Sequence, residues 1–245
     1  MDSEGNITRR RAIAAGGATA LFGGGVAYVA TRSESGGPAY TPETFHTGEG
    51  TTVFGTELGG RPVAGEREAP VDIYYWTDYL CPFCKRFETE TLPEIGRTYV
   101  DTGDARLVVL PYPNIGSYSM PAAVWSRCVW RQVAGSDPAA FWRWHEAAFE
   151  AQSESGTDWA DEETFARLTE RTAGVPADAV DSCRADSAGS IRDAIETNLG
   201  VAQSAGIRGT PSFVLYNRDA DASGKLVGAH PADTFSNALD RVLAA

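Results

Sequence analysis

Residues 78–87 read DYLCPFCKRF. Two cysteines separated by two residues, Cys81 and Cys84, fit a redox pair, half of a metal site, or two buried thiols, and the flanking residues narrow the choice. Upstream, VDIYYW at 71–76 is β-branched and aromatic and is bounded by Pro70 and Asp78, which predicts a buried strand. Pro82, whose φ is pre-set for the first helical position, opens a helix carrying Phe83, Phe87, Ile95 and Tyr99, with a break or kink at Pro93. ARLVVLPYP at 105–113 is the next strand, so the cysteines lie where a strand ends and a helix begins in a βαβ unit.

At such a place the unpaired backbone amides and the helix dipole favour an anion, so a thiolate is expected at Cys81, and Cys84 is one turn away to resolve. A thiolate attacks a disulfide sulfur, a mixed disulfide forms, and the second thiol displaces the partner. The metal reading needs two further ligands. Cys128 and Cys183 fall in separate predicted helices, there is no second C-x-x-C, and His46, His145 and His230 have no paired spacing, so no metal is expected. Two inert buried thiols would use neither the helix start nor the spacing.

From 117 to 205 the pattern is helical. Val124, Trp125, Cys128 and Val129 form one apolar stripe, and Phe141, His145, Ala148 and Phe149 a second. Phe165 with Leu168, and Ile191, Ile195 and Leu199, form two more, with Gly135, Gly174 and Gly206 as stops. His145 reads as a packing residue in its stripe, and Trp125, Trp130, Trp142 and Trp144 as the core of this block. The chain then returns to strands at PSFVLYN and GKLVGAH, close enough for a hairpin, and ends in a helix from Pro231 to Leu243. The fold class is α/β, a βαβ half and a ββα half around a central mixed sheet, with a helical insertion at 117–205. In GIRGTPSFVL, 206–215, Thr210-Pro211 precedes a strand, where a cis peptide could interrupt ladder pairing and leave a backbone edge open beside the cysteines.

The chain has 245 residues, 42% of them hydrophobic, enough for one domain with an insertion. Its net charge is −12, and Lys85 and Lys225 are its only lysines against 21 basic residues in all. Such a surface repels nucleic acid and anionic lipid, and it reads as adaptation to high salt, where screening mutes self-repulsion. Near the N-terminus, Arg9-Arg10-Arg11 precedes an uncharged, glycine-rich apolar stretch from Ala12 to Ala30. This resembles a twin-arginine export signal, expected over residues 1–31 either as a cleaved signal or as an N-terminal membrane anchor. Residues 32–50 are rich in Gly, Ser, Thr and Pro and read as a flexible linker. The domain is expected from Thr51, with TTVFGTEL at 51–58 as a short first strand.

The ordered set APVDIYYWTDYLCPFC, FWRWHEAAFEAQ and GIRGTPSFVL resembles the DsbA family of thioredoxin-fold disulfide oxidoreductases over residues 51–245. The resemblance implies a thioredoxin fold, an exposed nucleophile at Cys81, a buried resolving thiol at Cys84, and a cis proline at Pro211 packed against the disulfide. It further implies that Thr210 presents its backbone to an extended substrate peptide, with Pro82 and Phe83, between the cysteines, as active-site support. Many members carry His where this chain has Phe83, and thioredoxins and several relatives carry a buried carboxylate where this chain has Tyr75. Asp72 and Asp78, close by in sequence, read as solvated strand-end charges. Trp76 and Tyr79 are candidates to flank the site and hold a peptide, although strand aromatics are also ordinary core.

The function expected is a protein thiol-disulfide oxidoreductase working outside the cytoplasm without a cofactor, introducing disulfides into exported proteins with the help of a membrane redox partner. A thiol reductase or disulfide isomerase arm supplied by a membrane electron donor is the alternative within the same chemistry. A non-redox thioredoxin-fold peptide-binding or chaperone module is the alternative of another class. Cys128 and Cys183, both on apolar helix faces, are expected to pair as a structural disulfide, because that leaves no odd thiol in an exported domain.

Overall fold

The computed structural model describes residues 40–153 and 156–245, so the export segment expected at 1–31 and the first part of the linker lie outside the described residues. Six strands form the sheet: β1 (Phe45–Thr47), β2 (Pro62–Ala64), β3 (Val71–Thr77), β4 (Ala105–Pro111), β5 (Ser212–Asn217) and β6 (Ala222–Val227), in the order β1-β2-β4-β3-β5-β6. β3 is central, parallel to β4 with Ile73 opposite Leu107, and antiparallel to β5 with Tyr75 opposite Phe213. β5 and β6 form the expected antiparallel hairpin, Ser212 opposite Val227.

Alternation along β3 serves two cores. Val71, Ile73 and Tyr75 face the helices with Leu107, Val109, Phe213 and Leu215, while Tyr74 and Trp76 face the other side with Val108, Leu110 and Ile207. On the helical side Tyr75 stacks on Phe213 at 4.9 Å, and Phe213 meets Phe87 at 4.5 Å and Phe235 at 4.7 Å. Each such ring contributes on the order of 2–3 kcal/mol on burial, so this cluster fixes the helix after the cysteines against the sheet.

That helix begins with α1 (Pro82–Arg86) and runs to residue 100 through π turns at Phe87–Thr91 and Gly96–Val100, with α2 (Leu92–Ile95) between them. The expected break at Pro93 is absorbed: Pro93 sits in the first turn of α2, where its missing N–H costs little, and the wider π turn before it accommodates the ring. The insertion is four helices, α3 (Ser119–Val133), α4 (Pro138–Glu150), α5 (Glu162–Arg171) and α6 (Ala177–Ser204), and α7 (Ala232–Leu243) closes the chain. Trp125, Trp130, Trp142 and Trp144 are all buried in its core.

The N-terminal boundary differs from expectation. Residues 51–58 form no strand; Thr51 and Glu57 make a single bridge across a turn in which Gly55 takes a φ of 91°. The edge strand comes instead from within the expected linker, as β1. Upstream of it Tyr40 is buried over Gly96, where a Cβ would fall inside the tyrosine ring. Its hydroxyl donates to Asp101 at 2.9 Å and its carbonyl accepts from Trp142 Nε1 at 3.0 Å. A lone aromatic fitted to a glycine slot far along the chain has no local periodicity, so the composition of 32–50 concealed it.

Candidate active site

Cys81 is the N-cap of α1, with φ −82° and ψ 116°, and its Sγ accepts from the Cys84 backbone N–H at 3.4 Å. Pro82 follows as the first helical residue. The approach to the helix is held from three directions. Asp78 accepts from Leu80 N at 2.9 Å and, across to the β4–α3 loop, from Asn114 N at 2.8 Å and Ile115 N at 3.0 Å. Gln152 Nε2 donates to the carbonyls of Tyr79 at 2.7 Å and Cys81 at 3.2 Å. Lys85 Nζ donates to the carbonyls of Glu150 and Gln152 at the end of α4, the terminus that a cation satisfies best.

The two cysteines are free thiols in very different states. Cys81 is lowered from the ordinary 9.0 to about 6, first by a hydrogen bond from the Cys84 side chain, then by the Thr210 side chain and the backbone N–H groups of Cys84 and Phe83, against the opposing effect of burial. Cys84 moves the other way: burial pushes its thiol well up, and the charge on Cys81 pushes it further. One sulfur is thus poised as a thiolate and leaving group, its neighbour as a protonated thiol.

The peptide bond Thr210-Pro211 is cis, and Cys81 Sγ lies 3.3 Å from the Thr210 carbonyl, to which the protonated thiol donates. The Thr210 hydroxyl reaches Asn114 Oδ1 at 3.4 Å, and the Pro211 carbonyl accepts from Gly228 N at 2.8 Å. β5 starts at the next residue.

Several expectations are corrected here. Cys81 is buried, 1% exposed, because its sulfur turns inward to the helix amides and the Thr210 carbonyl. Phe83, between the cysteines, is 53% exposed, with the Arg86 guanidinium 5.4 Å from its ring centroid. Trp76 and Tyr79 do not flank the site: Trp76 packs with Phe54 and Tyr74 in the far core, and Tyr79 with Trp144 and Phe149 in the near one. Asp72 and Asp78 are not solvated. Asp72 is bound by Arg106 Nε at 2.5 Å and the Tyr74 hydroxyl at 2.7 Å, and Asp78 by the three amides above. A buried carboxylate persists when such donors surround it.

Cys128 and Cys183 are joined by a disulfide between α3 and α6, with Cα atoms 5.7 Å apart. Among the described residues no group of three or more His, Cys, Asp or Glu side chains is placed to hold a metal ion.

Sequence reading passed over Gln152, whose amide holds the carbonyls of Tyr79 and Cys81. Gln152 follows the end of α4 and carried no local signal.

A family model described as thioredoxin matches residues 57–241. The chain belongs to the thioredoxin family. Within that family it is similar to disulfide bond formation protein D of Bacillus subtilis (strain 168), 35% identical over 102 residues, which span 42% of this chain and 44% of that protein. The chain thus aligns with less than half of that relative's length. Among solved structures it resembles oxidised BdbD from Bacillus subtilis, with a TM-score of 0.65, 24% identity, and coverage of 82% of this chain and 100% of that one. Wolbachia pipientis alpha-DsbA1 is similar too, with a TM-score of 0.63 and 22% identity over 74% of this chain and 90% of that one. These likenesses show a DsbA-like thioredoxin fold, helical insertion included.

Proposed function

We propose that the protein is a thiol-disulfide oxidoreductase that introduces disulfides into cysteine-containing exported proteins through Cys81 and Cys84. The observation that carries this reading is the split between the two thiols, one lowered to about 6 and one raised. The name of its Bacillus subtilis relative, a disulfide bond formation protein, supports the same chemistry.

In the oxidised enzyme a substrate thiolate attacks Cys81 Sγ, the Cys81–Cys84 bond breaks, and Cys84 leaves and takes up a proton. A second substrate thiolate then attacks the substrate sulfur of the mixed disulfide and expels Cys81 as a stable thiolate. The substrate gains a disulfide and the enzyme two thiols. An electron acceptor at the membrane must reoxidise the pair. Low basicity at Cys81 makes it the better leaving group, which favours oxidation of the substrate over its reduction. The Arg9-Arg10-Arg11 cluster and the apolar stretch after it support an extracytoplasmic site of action, secreted or anchored to the outer face of the membrane.

Trapping tests the assignment. A Cys84→Ala variant expressed in its own cell should accumulate mixed disulfides with exported proteins through Cys81, whereas Cys81→Ala should accumulate few. Equal trapping by both variants would overturn the roles. The reduction potential, measured in molar KCl against glutathione, then separates an oxidase from a reductase or isomerase arm.

A further inference from the structure

We propose that Arg61 and Arg127 hold a small inorganic oxyanion, sulfate or phosphate, which fastens the turn at residues 57–61 to the helical insertion. Arg61 directly precedes β2 and Arg127 lies in α3, and the two are only 4% and 8% exposed. Each guanidinium rests on the backbone of the same turn. Arg61 Nε donates to the Glu57 carbonyl at 3.2 Å, and Arg127 Nη1 donates to the Gly60 carbonyl at 2.5 Å. That turn is a fixed platform. Arg61 N donates to the Leu58 carbonyl at 3.0 Å and Gly60 N to the Gly48 carbonyl at 3.2 Å. Asn198 of α6 brackets Glu57, donating to its carbonyl at 3.1 Å and accepting from its backbone N–H at 3.2 Å.

The chain does not balance these charges itself. Among the described residues neither arginine takes part in an ion pair, nor does the exposed Arg131, one turn after Arg127 on α3. Glu57, the acidic residue of the turn, is exposed and its carboxylate accepts from the Thr51 hydroxyl at 3.4 Å. Arg127 is lowered to about 9, first by burial and then by the charges on Arg61 and Arg131. Arg61 is lowered to about 10 by burial, against the attraction of Glu57, so both stay protonated at neutral pH. Like charges four residues apart weaken a helix, and a buried guanidinium without a counter-charge is costly. In a chain of net charge −12, this is a place where an added anion gains rather than loses.

The donors left over select the kind of anion. Arg127 spends Nη1 on Gly60, and its Nε and Nη2 groups have no acceptor among the described residues. Arg61 spends Nε on Glu57, and both of its Nη groups are likewise without one. In each case the two remaining nitrogens form one edge of the guanidinium, with parallel N–H bonds that engage two oxygens at once. Such forks suit a tetrahedral oxyanion better than chloride, a single-point acceptor. Guanidinium groups this nearly buried favour a free ion over a phosphate carried on a larger molecule. Once bound, the oxyanion replaces repulsion between the turn and α3 with attraction to both, next to the Cys128–Cys183 bridge.

The test is thermal unfolding and calorimetric titration of the full-length protein with millimolar sulfate, the ionic strength held constant with KCl so that screening does not change. The wild-type melting temperature should rise and saturate, as mass action on a single site requires, and calorimetry should give one sulfate per chain. Phosphate should substitute for sulfate, and glycerol phosphate should compete far more weakly. Arg127→Met should abolish the saturable rise while keeping any general effect of sulfate on stability. Without sulfate this variant should be at least as stable as wild type, because it removes an unpaired buried charge, and with saturating sulfate it should be the less stable of the two. Arg131→Gln, at an exposed position, should fold normally and weaken sulfate binding about threefold. An absence of saturable heat and of a saturable rise in wild type overturns the site, and needs no variant to be decisive. An Arg127→Met protein that is less stable than wild type by the same amount at every sulfate concentration overturns it too, since Arg127 then serves only to hold Gly60. Equal competition by glycerol phosphate overturns the assignment to a free ion.

Discussion

The Cys84 backbone N–H lies 3.4 Å from Cys81 Sγ, and the same residue contributes, through its side chain, the strongest influence lowering the Cys81 pKa. One residue therefore both creates the thiolate and waits to displace what it binds.

Titration of the reduced protein, followed by thiolate absorbance and by alkylation rate at Cys81, should show a midpoint at about 6. Folding lowers this group from 9.0, so its contribution to the stability of the reduced form is complete above pH 9 and is lost as pH falls through about 6. The melting temperature of the reduced protein should accordingly rise relative to the oxidised protein across that interval, most cleanly below the pH at which an unfolded Cys84 ionises. Cys84→Ala should raise the midpoint because it removes the leading hydrogen bond. A titration centred on 9 would discard the account.

Asp78→Ala should lower the unfolding free energy by about 2–4 kcal/mol, since it leaves the buried Leu80 amide without a partner and frees the Asn114 and Ile115 amides of the adjoining loop. In urea the midpoint should fall with the slope unchanged. Asp78→Asn, which keeps an acceptor oxygen, should lose less. Equal losses would mean that the charge, rather than the acceptor geometry, holds the loop.

The Cys128–Cys183 bridge closes a separation of 55 residues, worth about 4 kcal/mol in the chain-entropy model. Replacing both cysteines with serine should destabilise the domain by up to that amount while Cys81 reactivity persists. Non-reduced peptide mapping of protein from its native compartment checks the pairing, and two free thiols there would remove it.

Stability should also rise with KCl into the molar range, because screening relieves the self-repulsion of a −12 chain. Thermal unfolding over a salt series reads this directly. A flat melting temperature would remove the high-salt reading.

Whatever depends on neighbours along the chain was legible before the fold was known. The β-branched run before Cys81, proline at the first helical position, the apolar stripes of the insertion and the close spacing of β5 and β6 are short-range patterns, and the structure has each of them. Burial and partnership are different, because they are set by residues that meet only when the chain is packed. The inward turn of Cys81 depends on a carbonyl 129 residues away at Thr210. Asp72 is buried because Arg106 stands beside it on the next strand, and Tyr40 belongs to the domain because Gly96 leaves room for its ring. His145 was visible as a member of an apolar stripe, but its contact with Glu88 links α4 to the helix of the cysteines across 57 residues. Periodicity identifies the face on which a side chain lies; only packing decides what that face meets.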